Sequence, residues 1–433
     1  MIMDIADYSP GSSPRRETKE RRPMDLTARR VPPVAPEVFL AIGLVLLAGA
    51  VRFLGFDLVT HDYTIYLRPW GEFITAHGGW RALRYDFANY NMPYLYALVG
   101  FTWLGEHTGA GMLTWIKLFS CLFDGMLAFY AYKLVSLRHR GWRMPLLAGL
   151  TVLLLPTVVL DSAYWGQCDS IYTAFTLAGL YHLLRDRPWL GCALVGVAFA
   201  VKLQAIFIFP VLLVLLLVGR LPWRALLAIP AVCALLSTPA WLIGRPAAEL
   251  LKIYVKQTGD FDYLVLNAPT VWTFVSPTQH QAELRTAGVL FTGIAFLVLI
   301  FVVLARNIAL TDEKVIVLAA ASAIMAPFLL PSMHERYFFM ADVLCVVAAF
   351  WVPRRLWFVP ALLQSASFLT YSSYLFVLQN RVDLRLLAVL VIAAGLTTLA
   401  ELMRRDPAPT VPRPRPGLTP PAETPGPLPA RPA

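Results

Sequence analysis

The residues best suited to chemistry lie in a polar loop, 55–93, that follows the first long apolar stretch of the chain. Aspartate, histidine, arginine and tryptophan side chains gather in this loop, beside a segment long enough to enter a membrane. A carboxylate fixed at a membrane surface among such groups is suited to act as a general base. Asp62 is the candidate base, with Asp57 and Asp86 as fallback candidates. A purely structural role for Asp62, as the N-cap of a following helix, is also compatible with its position.

Cations suited to holding a phosphate lie in other parts of the chain. His334 and Arg336 are neighbours in a polar segment, and side chains of these types grip phosphate well. Lys202 interrupts an apolar run, where it would either bind a lipid phosphate or extend its ammonium group to the headgroups. The sequence His334-Glu-Arg lacks the second histidine of a helical zinc motif. The five cysteines are scattered singly, so neither a metal site nor a disulfide framework is predicted, and no cofactor is expected.

The composition identifies the class of protein. Of the 433 residues, 58% are hydrophobic and 15% are charged, and the mean hydropathy is +0.61. Soluble domains have roughly 45–50% apolar and 25% charged residues. Repeated apolar runs without alternating polarity therefore predict an all-α polytopic membrane protein rather than a membrane β-barrel. The net charge of +10 comes mostly from short basic loops between these runs, which is typical of cytoplasmic loops and argues against a nucleic-acid partner.

The apolar runs predict about twelve transmembrane helices with both termini in the cytoplasm. A basic N-terminus, 1–35, and a Pro-rich tail, 404–433, are expected to be disordered and to flank a transmembrane domain, 36–403. The short apolar stretch 94–104 is expected to form an interfacial helix because it is too short to cross a bilayer. The polar segments 55–93, 161–170, 245–285 and 332–337 would then all face outward. The predicted spans are 36–54, 111–134, 144–160, 171–184, 189–201, 203–218, 225–243, 286–304, 315–330, 339–352, 357–376 and 386–403.

The order of the polar motifs resembles that of the GT-C superfamily of membrane glycosyltransferases, which use polyprenyl-phosphate sugars. Within that superfamily, the chain looks like the bacterial relatives of the GPI second mannosyltransferase, and it is more distantly similar to the dolichyl-phosphate-glucose glucosyltransferases. The resemblance covers roughly residues 36–350. Two positions depart from the expected pattern, because Met92 stands where a proline is usual and Cys168 where an aromatic residue is usual. The matching motifs are His61-Asp62-Tyr63 with Trp70, Tyr90-Asn-Met-Pro93, Trp165-Gly-Gln-Cys-Asp169-Ser170, Val201-Lys-Leu-Gln204, Asn267 with Trp272, and His334-Glu-Arg-Tyr337.

The resemblance implies a hexosyltransferase reaction on the outer face of a bacterial plasma membrane. Asp62 would activate an acceptor hydroxyl on a lipid or glycan, while Lys202, His334 and Arg336 would bind the phosphate of a polyprenyl-phosphate-hexose donor. A polyprenyl phosphate leaves without protonation, so one base suffices, and attack opposite the leaving group would invert the anomeric carbon without a metal. Mannose is favoured as the sugar, and glucose is next. The sugar and acceptor pocket would contain Tyr63, Trp70, Trp165, Gln167, Asp169, Gln204, Asn267 and Trp272.

Two other classes of protein remain open from the sequence. A polytopic transporter or lipid flippase would also place ionisable residues among membrane helices. The two halves of the chain show no convincing internal repeat, and the polar segments gather on one face in the predicted topology. A non-catalytic membrane scaffold would tolerate the simultaneous loss of Asp62, His334 and Arg336.

Overall fold

The structure is a computed structural model that describes residues 36–259, 263–276, 279–376 and 382–404. The predicted N-terminal segment 1–35 and all but the first residue of the predicted tail 404–433 lie outside the described residues. Two compact units, Met1–Gly43 and Leu44–Ala433, divide the chain. The described part of the first unit is the beginning of one helix, and every contact discussed below lies within the second unit.

The described residues are predominantly helical, as the sequence predicts. Two short parallel strands, β1 (Val265–Leu266) and β2 (Met333–His334), form the one sheet seen in these ranges. Short π-helical segments occur at Tyr63–Leu67 and Leu160–Trp165. The α-helices are α1 (Pro36–Phe53), α2 (Arg68–Ala76), α3 (Met92–His107), α4 (Met112–Ser136), α5 (Arg143–Leu154), α6 (Pro156–Val159), α7 (Asp169–Leu184), α8 (Pro188–Val201), α9 (Phe209–Leu217), α10 (Trp223–Leu226), α11 (Ala228–Leu242), α12 (Ala247–Gly259), α13 (Gln281–Ala305), α14 (Asp312–Leu329), α15 (Phe339–Trp351), α16 (Pro353–Leu356), α17 (Val359–Leu375) and α18 (Leu384–Leu402).

Fewer helices than expected are long and apolar enough to cross a membrane. Within the described ranges, five qualify by length and composition, and a sixth is added if α5 and the segment Pro156–Trp165, bent by 50°, form one span. Each of the twelve predicted spans overlaps a helix or joined helices, but several of these are short, such as α7 with 16 residues and α8 with 14. Length and composition therefore support an all-α membrane protein and do not support twelve spans. The helices α7, α8 and α15, with 16, 14 and 13 residues, fall short of the roughly 20 residues that a span needs, so the twelve runs predicted from the sequence exceed the number of helices that qualify by length.

Close packing of helices builds the interior. α7 packs against α8 and α4, and α14 packs against α15 and α18. At the contact of α7 with α8, a Cβ atom added at Gly179 would lie 2.9 Å from the carbonyl oxygen of Gly191. Glycine at this position therefore lets the two backbones approach closely, as small residues do between membrane helices.

A buried polar network fixes the bend between α5 and α6. Pro156 has no backbone N–H and begins a new helix, so carbonyl groups at the end of α5 need other donors. Arg52 donates to the Leu153 carbonyl at 2.8 Å and to the Asp124 carboxylate at 2.9 Å. Asp124 also accepts hydrogen bonds from Ser162, at 2.6 Å, and from Ser170. The network therefore joins α1 and α4 to the π-helical segment Leu160–Trp165 and to the start of α7.

The loop that follows α1 is held by a lysine on α4. The Nζ atom of Lys117 donates to the carbonyl oxygens of Gly55 at 2.7 Å, Phe56 at 3.1 Å and Leu58 at 2.7 Å. This anchor lies just before Asp62, which immediately precedes the π-helical segment Tyr63–Leu67. Asp62 makes no side-chain hydrogen bond to the backbone of that segment, so the N-cap interpretation of Asp62 is wrong.

The two-stranded sheet fixes the segment that carries His334 and Arg336. β1 pairs with β2, and Leu266 lies opposite His334 in the register. The residues next to these strands, Asn267 and Ser332, have φ of 62° and 59°. Asparagine tolerates this left-handed region better than most residues, which fits its position directly after β1.

Candidate active site

The Asp62 carboxylate lies at the centre of the polar cluster and accepts four hydrogen bonds. Its Oδ2 atom accepts from Trp165 Nε1 at 3.0 Å, Gln167 Nε2 at 2.9 Å and a terminal nitrogen of Arg336 at 2.7 Å. Its Oδ1 atom accepts from the Tyr374 hydroxyl at 2.5 Å. These donors come from chain positions 103 to 312 residues away, so the tertiary fold, rather than the local sequence, builds this environment.

This environment keeps Asp62 ionised. Burial alone would raise the pKa of the carboxyl group, but the Arg336 guanidinium and the hydrogen bonds from Tyr374, Arg336 and Trp165 outweigh burial. The pKa of Asp62 therefore lies below its ordinary value of 3.8. The carboxyl group is therefore ionised at neutral pH. Its side chain also keeps 15% of its surface exposed, so it is reachable from the adjoining cleft.

Carboxylates and cations alternate along one wall of the site. Arg336 lies between Asp62, at 2.7 Å, and Asp169, whose Oδ2 atom is 3.9 Å from Arg336 Nε. Lys202 donates to the other oxygen of Asp169 at 2.6 Å and lies over the rings of Tyr172 and Tyr337. The row Asp62–Arg336–Asp169–Lys202 therefore pairs each cation with a carboxylate.

Aromatic rings from two segments stack behind Asp62. Trp165 is fully buried, and its ring stacks on Tyr374 with centroids 4.7 Å apart and an interplanar angle of 17°. The Arg336 guanidinium lies 5.4 Å from the centre of the same indole ring. Gly166, with φ of 77°, ends the π-helical segment, and Gln167 follows it and bonds Asp62. This left-handed turn, which favours glycine, therefore lets the residues on both sides of Gly166, Trp165 and Gln167, donate to the carboxylate.

A cleft opens over the cluster and holds about 1020 Å³ of space, including its open mouth. Ten further residues of the lining complete a mixed aromatic, amide and aliphatic surface. Among them are Tyr66 and Gln257, which the sequence did not single out, and Tyr90, which belongs to a matching motif but was not predicted as a site residue. The predicted site residues that line the cleft are Asp62, Trp70, Gln167, Lys202, Gln204, His334 and Arg336.

Other predicted site residues lie outside the cleft. Trp165 and Asp169 are fully buried beneath it and act through contacts with Asp62 and Lys202. Tyr63 faces a different surface pocket, on another side of its helical segment. Asn267 donates weakly to the Thr370 carbonyl at 3.5 Å, and Trp272 donates to the Leu329 carbonyl at 2.8 Å. Asn267 and Trp272 therefore contact the backbone of α17 and α14 near the site and do not line the cleft.

The fallback carboxylates do not line the cleft. Asp57 is exposed in the loop before Asp62. Asp86 pairs with Arg245 at 2.8 Å and with Lys256, and these contacts join the first loop to α12. The hydrogen bond from Lys256 and the charge of Arg245 lower the pKa of Asp86, although burial opposes them. Both residues are therefore less suitable than Asp62 as a base in the cleft.

His334 reaches the cleft, but not as a cation. Burial and the neighbouring positive charge of Arg336 lower the pKa of His334 to about 3, although the charge of Asp62 opposes them. The imidazole is therefore neutral near pH 7, and the expectation that it would offer positive charge to a phosphate needs correction. A neutral imidazole still has one N–H group that is able to donate a hydrogen bond.

Tyr374 is the main site residue that the sequence did not indicate. It lies near the end of α17 in the sequence Thr370-Tyr-Ser-Ser-Tyr374, at the end of a predicted span. Aromatic residues at such positions usually belong to the interfacial belt. The only available signal was the unusual run of hydroxyl groups in an apolar helix.

No group of three or more His, Cys, Asp or Glu side chains within the described ranges is arranged to hold a metal ion. The cluster instead offers the carboxylates of Asp62 and Asp169, the two cations paired with them and an aromatic wall. No protein-family model and no curated protein sequence matches this chain.

Proposed function

We propose that the protein is an inverting glycosyltransferase with a GT-C-like architecture, in which some of the shorter helices also serve as spans. It moves a hexose, with mannose favoured over glucose, from a polyprenyl-phosphate donor to an acceptor hydroxyl on the outer face of the membrane. The observation that carries this proposal is the ionised Asp62 carboxylate at a cleft that also contains Lys202 and Arg336. An accessible base next to phosphate-binding cations is the minimum equipment for the reaction.

Asp62 is the general base of the proposed reaction. The acceptor oxygen attacks the anomeric carbon, its proton passes to Asp62, and the bond between that carbon and the phosphate oxygen breaks. The bonding electrons leave with the polyprenyl phosphate, which then carries a second negative charge. General base catalysis of this kind contributes about 10²- to 10⁴-fold to the rate.

The leaving group explains why one carboxylate suffices. Hydrolases that release an alkoxide need a second carboxylic acid to protonate it. A phosphate monoester has a second pKa of about 6, so it leaves without a proton at neutral pH. The developing charge requires cations instead, and Lys202 and Arg336 line the cleft beside Asp62.

An apolar groove suits the lipid part of such a donor. It holds about 1370 Å³ including its open side and lies among α9, α11, α13 and α14. Ile206 and Phe207 line it four and five residues after Lys202, and Leu330 lines it four residues before His334. The segments that supply the cations of the cleft therefore continue directly into the wall of an apolar groove. Such continuity favours a ligand with a phosphate head and a hydrocarbon tail.

Transfer assays with a matched pair of variants test the proposal. Purified full-length protein is incubated with radiolabelled polyprenyl-phosphate-mannose or polyprenyl-phosphate-glucose and a membrane extract. Asp62→Asn should lower transfer at least about 10²-fold. Asp57→Asn, which removes an exposed carboxylate five residues earlier, should retain wild-type transfer. Near-normal transfer by Asp62→Asn would refute the assignment of the base.

A second result would overturn the reaction class itself. If the wild type bound either donor but consumed neither, the cleft would be a binding site for a lipid-linked ligand. That result would favour the transporter or flippase class, and a vesicle assay that follows the labelled donor between the two leaflets would then measure its activity.

A further inference from the structure

The two oxygen atoms of Asp62 differ in the number of hydrogen bonds that they accept. Within the described residues, Oδ2 accepts three hydrogen bonds and Oδ1 accepts one. An ionised carboxylate has about four lone-pair positions, two on each oxygen. Oδ2 is therefore saturated, whereas Oδ1 keeps one position for a further donor.

We propose that Tyr374 is a positioning residue that makes Oδ1 of Asp62 the atom that takes the acceptor proton. This inference rests on the proposed function, in which Asp62 is the general base. The Tyr374 hydroxyl donates to Oδ1 at 2.5 Å and lines the same cleft. It occupies one lone-pair position of Oδ1 and leaves the other for the acceptor hydroxyl.

The surroundings of Tyr374 make it a rigid support. Its ring stacks on Trp165, whose indole N–H donates to the other oxygen of the same carboxylate. One stacked pair of rings thus contacts both oxygens of Asp62, which limits rotation of the carboxylate about χ2. Held geometry of this kind is worth more to a reaction than the hydrogen bond alone, because a small misplacement of a reacting atom is costly.

The hydrogen bond from Tyr374 also affects the proton affinity of Asp62. A donor to the ionised form stabilises that form, so removal of the donor raises the pKa of the carboxyl group. The other groups around Asp62 are the same in wild type and in a Tyr374 variant, so a comparison of the two isolates the contribution of the hydroxyl. The titratable and charged groups that face or approach Asp62 are Arg336, His334 and Glu335 before α15, Tyr374 on α17, and His61, Tyr66, Tyr90, Lys202 and Tyr337 around the cleft.

The test uses Tyr374→Phe with Tyr371→Phe as its matched control. Both variants remove one hydroxyl group from α17, and both rings contact Trp165. The Tyr371 hydroxyl donates to the Arg336 backbone carbonyl at 3.4 Å and does not bond Asp62. The difference between the two variants therefore reports the hydrogen bond to Oδ1.

The first readout does not depend on catalysis. A water-soluble carbodiimide modifies protonated carboxyl groups, and peptide mass spectrometry measures the modification of Asp62 in the full-length protein at pH 5. Loss of the Tyr374 hydroxyl should raise the pKa of Asp62 by about one unit and speed its modification about tenfold. Tyr371→Phe should modify Asp62 at the wild-type rate. An unchanged rate in Tyr374→Phe, or an equal increase in both variants, would overturn the inference.

A subtler substitution covers the case in which Tyr374→Phe does not fold. Site-specific incorporation of 3,5-difluorotyrosine at position 374 keeps the ring and makes its hydroxyl a stronger donor. Modification of Asp62 should then become slower than in wild type. A rate equal to or above the wild-type rate would count against the hydrogen bond.

The second readout separates this inference from the proposed function. If wild type transfers a hexose, the acid limb of its pH profile should move up by about one unit in Tyr374→Phe, and kcat should fall while the KM for the donor stays within about twofold. Normal transfer with an unmoved acid limb would refute the role of Tyr374 and leave the glycosyltransferase assignment intact. If wild type transfers neither donor, the proposed function fails, and carbodiimide modification still decides whether Tyr374 controls Oδ1.

Discussion

Replacing Arg336 with glutamine removes the positive charge that faces Asp62. The protein should become less stable because the Asp62 carboxylate then remains largely buried without its cation. The two side chains are 2.7 Å apart and have only 12% and 15% of their surfaces exposed. Loss of one partner from a buried ion pair costs about 3–5 kcal/mol, because the other charge remains without compensation. Trp165, Gln167 and Tyr374 still donate to Asp62 in the variant, so we expect about 3 kcal/mol, at the lower end of that range.

A double-mutant cycle measures the interaction itself. Asp62→Asn leaves Arg336 near a second carboxylate, Asp169, at 3.9 Å, so this substitution should cost less, about 2 kcal/mol. In the double variant Asp62→Asn/Arg336→Gln neither charge remains, so the two losses should not add. We expect a coupling energy of about 2 kcal/mol, within the range found for residues in direct contact.

The assay is equilibrium unfolding in mixed detergent and SDS micelles, which gives the free energy of unfolding for all four proteins. Arg68→Gln provides the control, because Arg68 pairs with Glu72 at 3.2 Å with 62% and 68% of the side chains exposed. Such exposed pairs contribute less than about 1 kcal/mol. Additive losses in the cycle, with a coupling energy below about 0.5 kcal/mol, would show that the ion pair does not form as described.

Two further substitutions test other parts of the same region. Burial raises the pKa of Glu335 from 4.5 to about 7, so the folded protein retains a proton that the unfolded chain releases between these values, and the free energy of unfolding should fall as pH rises through this window. Glu335→Gln should flatten that dependence between pH 5 and pH 8, and an identical slope in both proteins would contradict the assignment. Lys117→Met leaves the carbonyl groups of Phe56 and Leu58 without their donor, whereas the Gly55 carbonyl keeps a hydrogen bond from the Leu58 N–H at 3.2 Å. Each buried carbonyl left without a donor costs about 1–3 kcal/mol. The free energy of unfolding should therefore fall by several kcal/mol, and limited proteolysis should cut the 55–62 loop faster than in wild type; unchanged cleavage would mean that other contacts hold this loop.

The sequence was sufficient to predict which charged residues belong to the candidate site, because this depends on residue type and on position relative to the ends of apolar runs. Asp62, Lys202 and Arg336 are charged residues beside long apolar runs, and such positions are costly unless a site uses them. The structure brings all three to one cleft. The helical class follows from the same apolar runs, because a helix satisfies its own backbone hydrogen bonds.

The sequence was not informative about pairing and protonation. Nothing near Arg336 indicates that its partner is Asp62, which lies 274 residues away. The neutral state of His334 depends on its burial and on the nearby charge of Arg336. Residue type alone therefore suggested a positive charge that this imidazole does not have in the fold. Tyr374 was missed for a similar reason, since its role arises only when α17 packs beside Trp165.

The long separation between Asp62 and Arg336 has a consequence for biosynthesis. Ribosomes add roughly 5–20 residues per second, so the 274 residues between the two charges take about 14–55 s to make. Throughout that interval Asp62 has no guanidinium partner, and its place in a polar loop beyond α1 lets water solvate it. Arg52, inside α1, pairs with Asp124, which is made only 72 residues later. The charge inside α1 is thus neutralised early, whereas the Asp62–Arg336 ion pair forms only after the segment before α15 has been made, and Tyr374 joins the site later still.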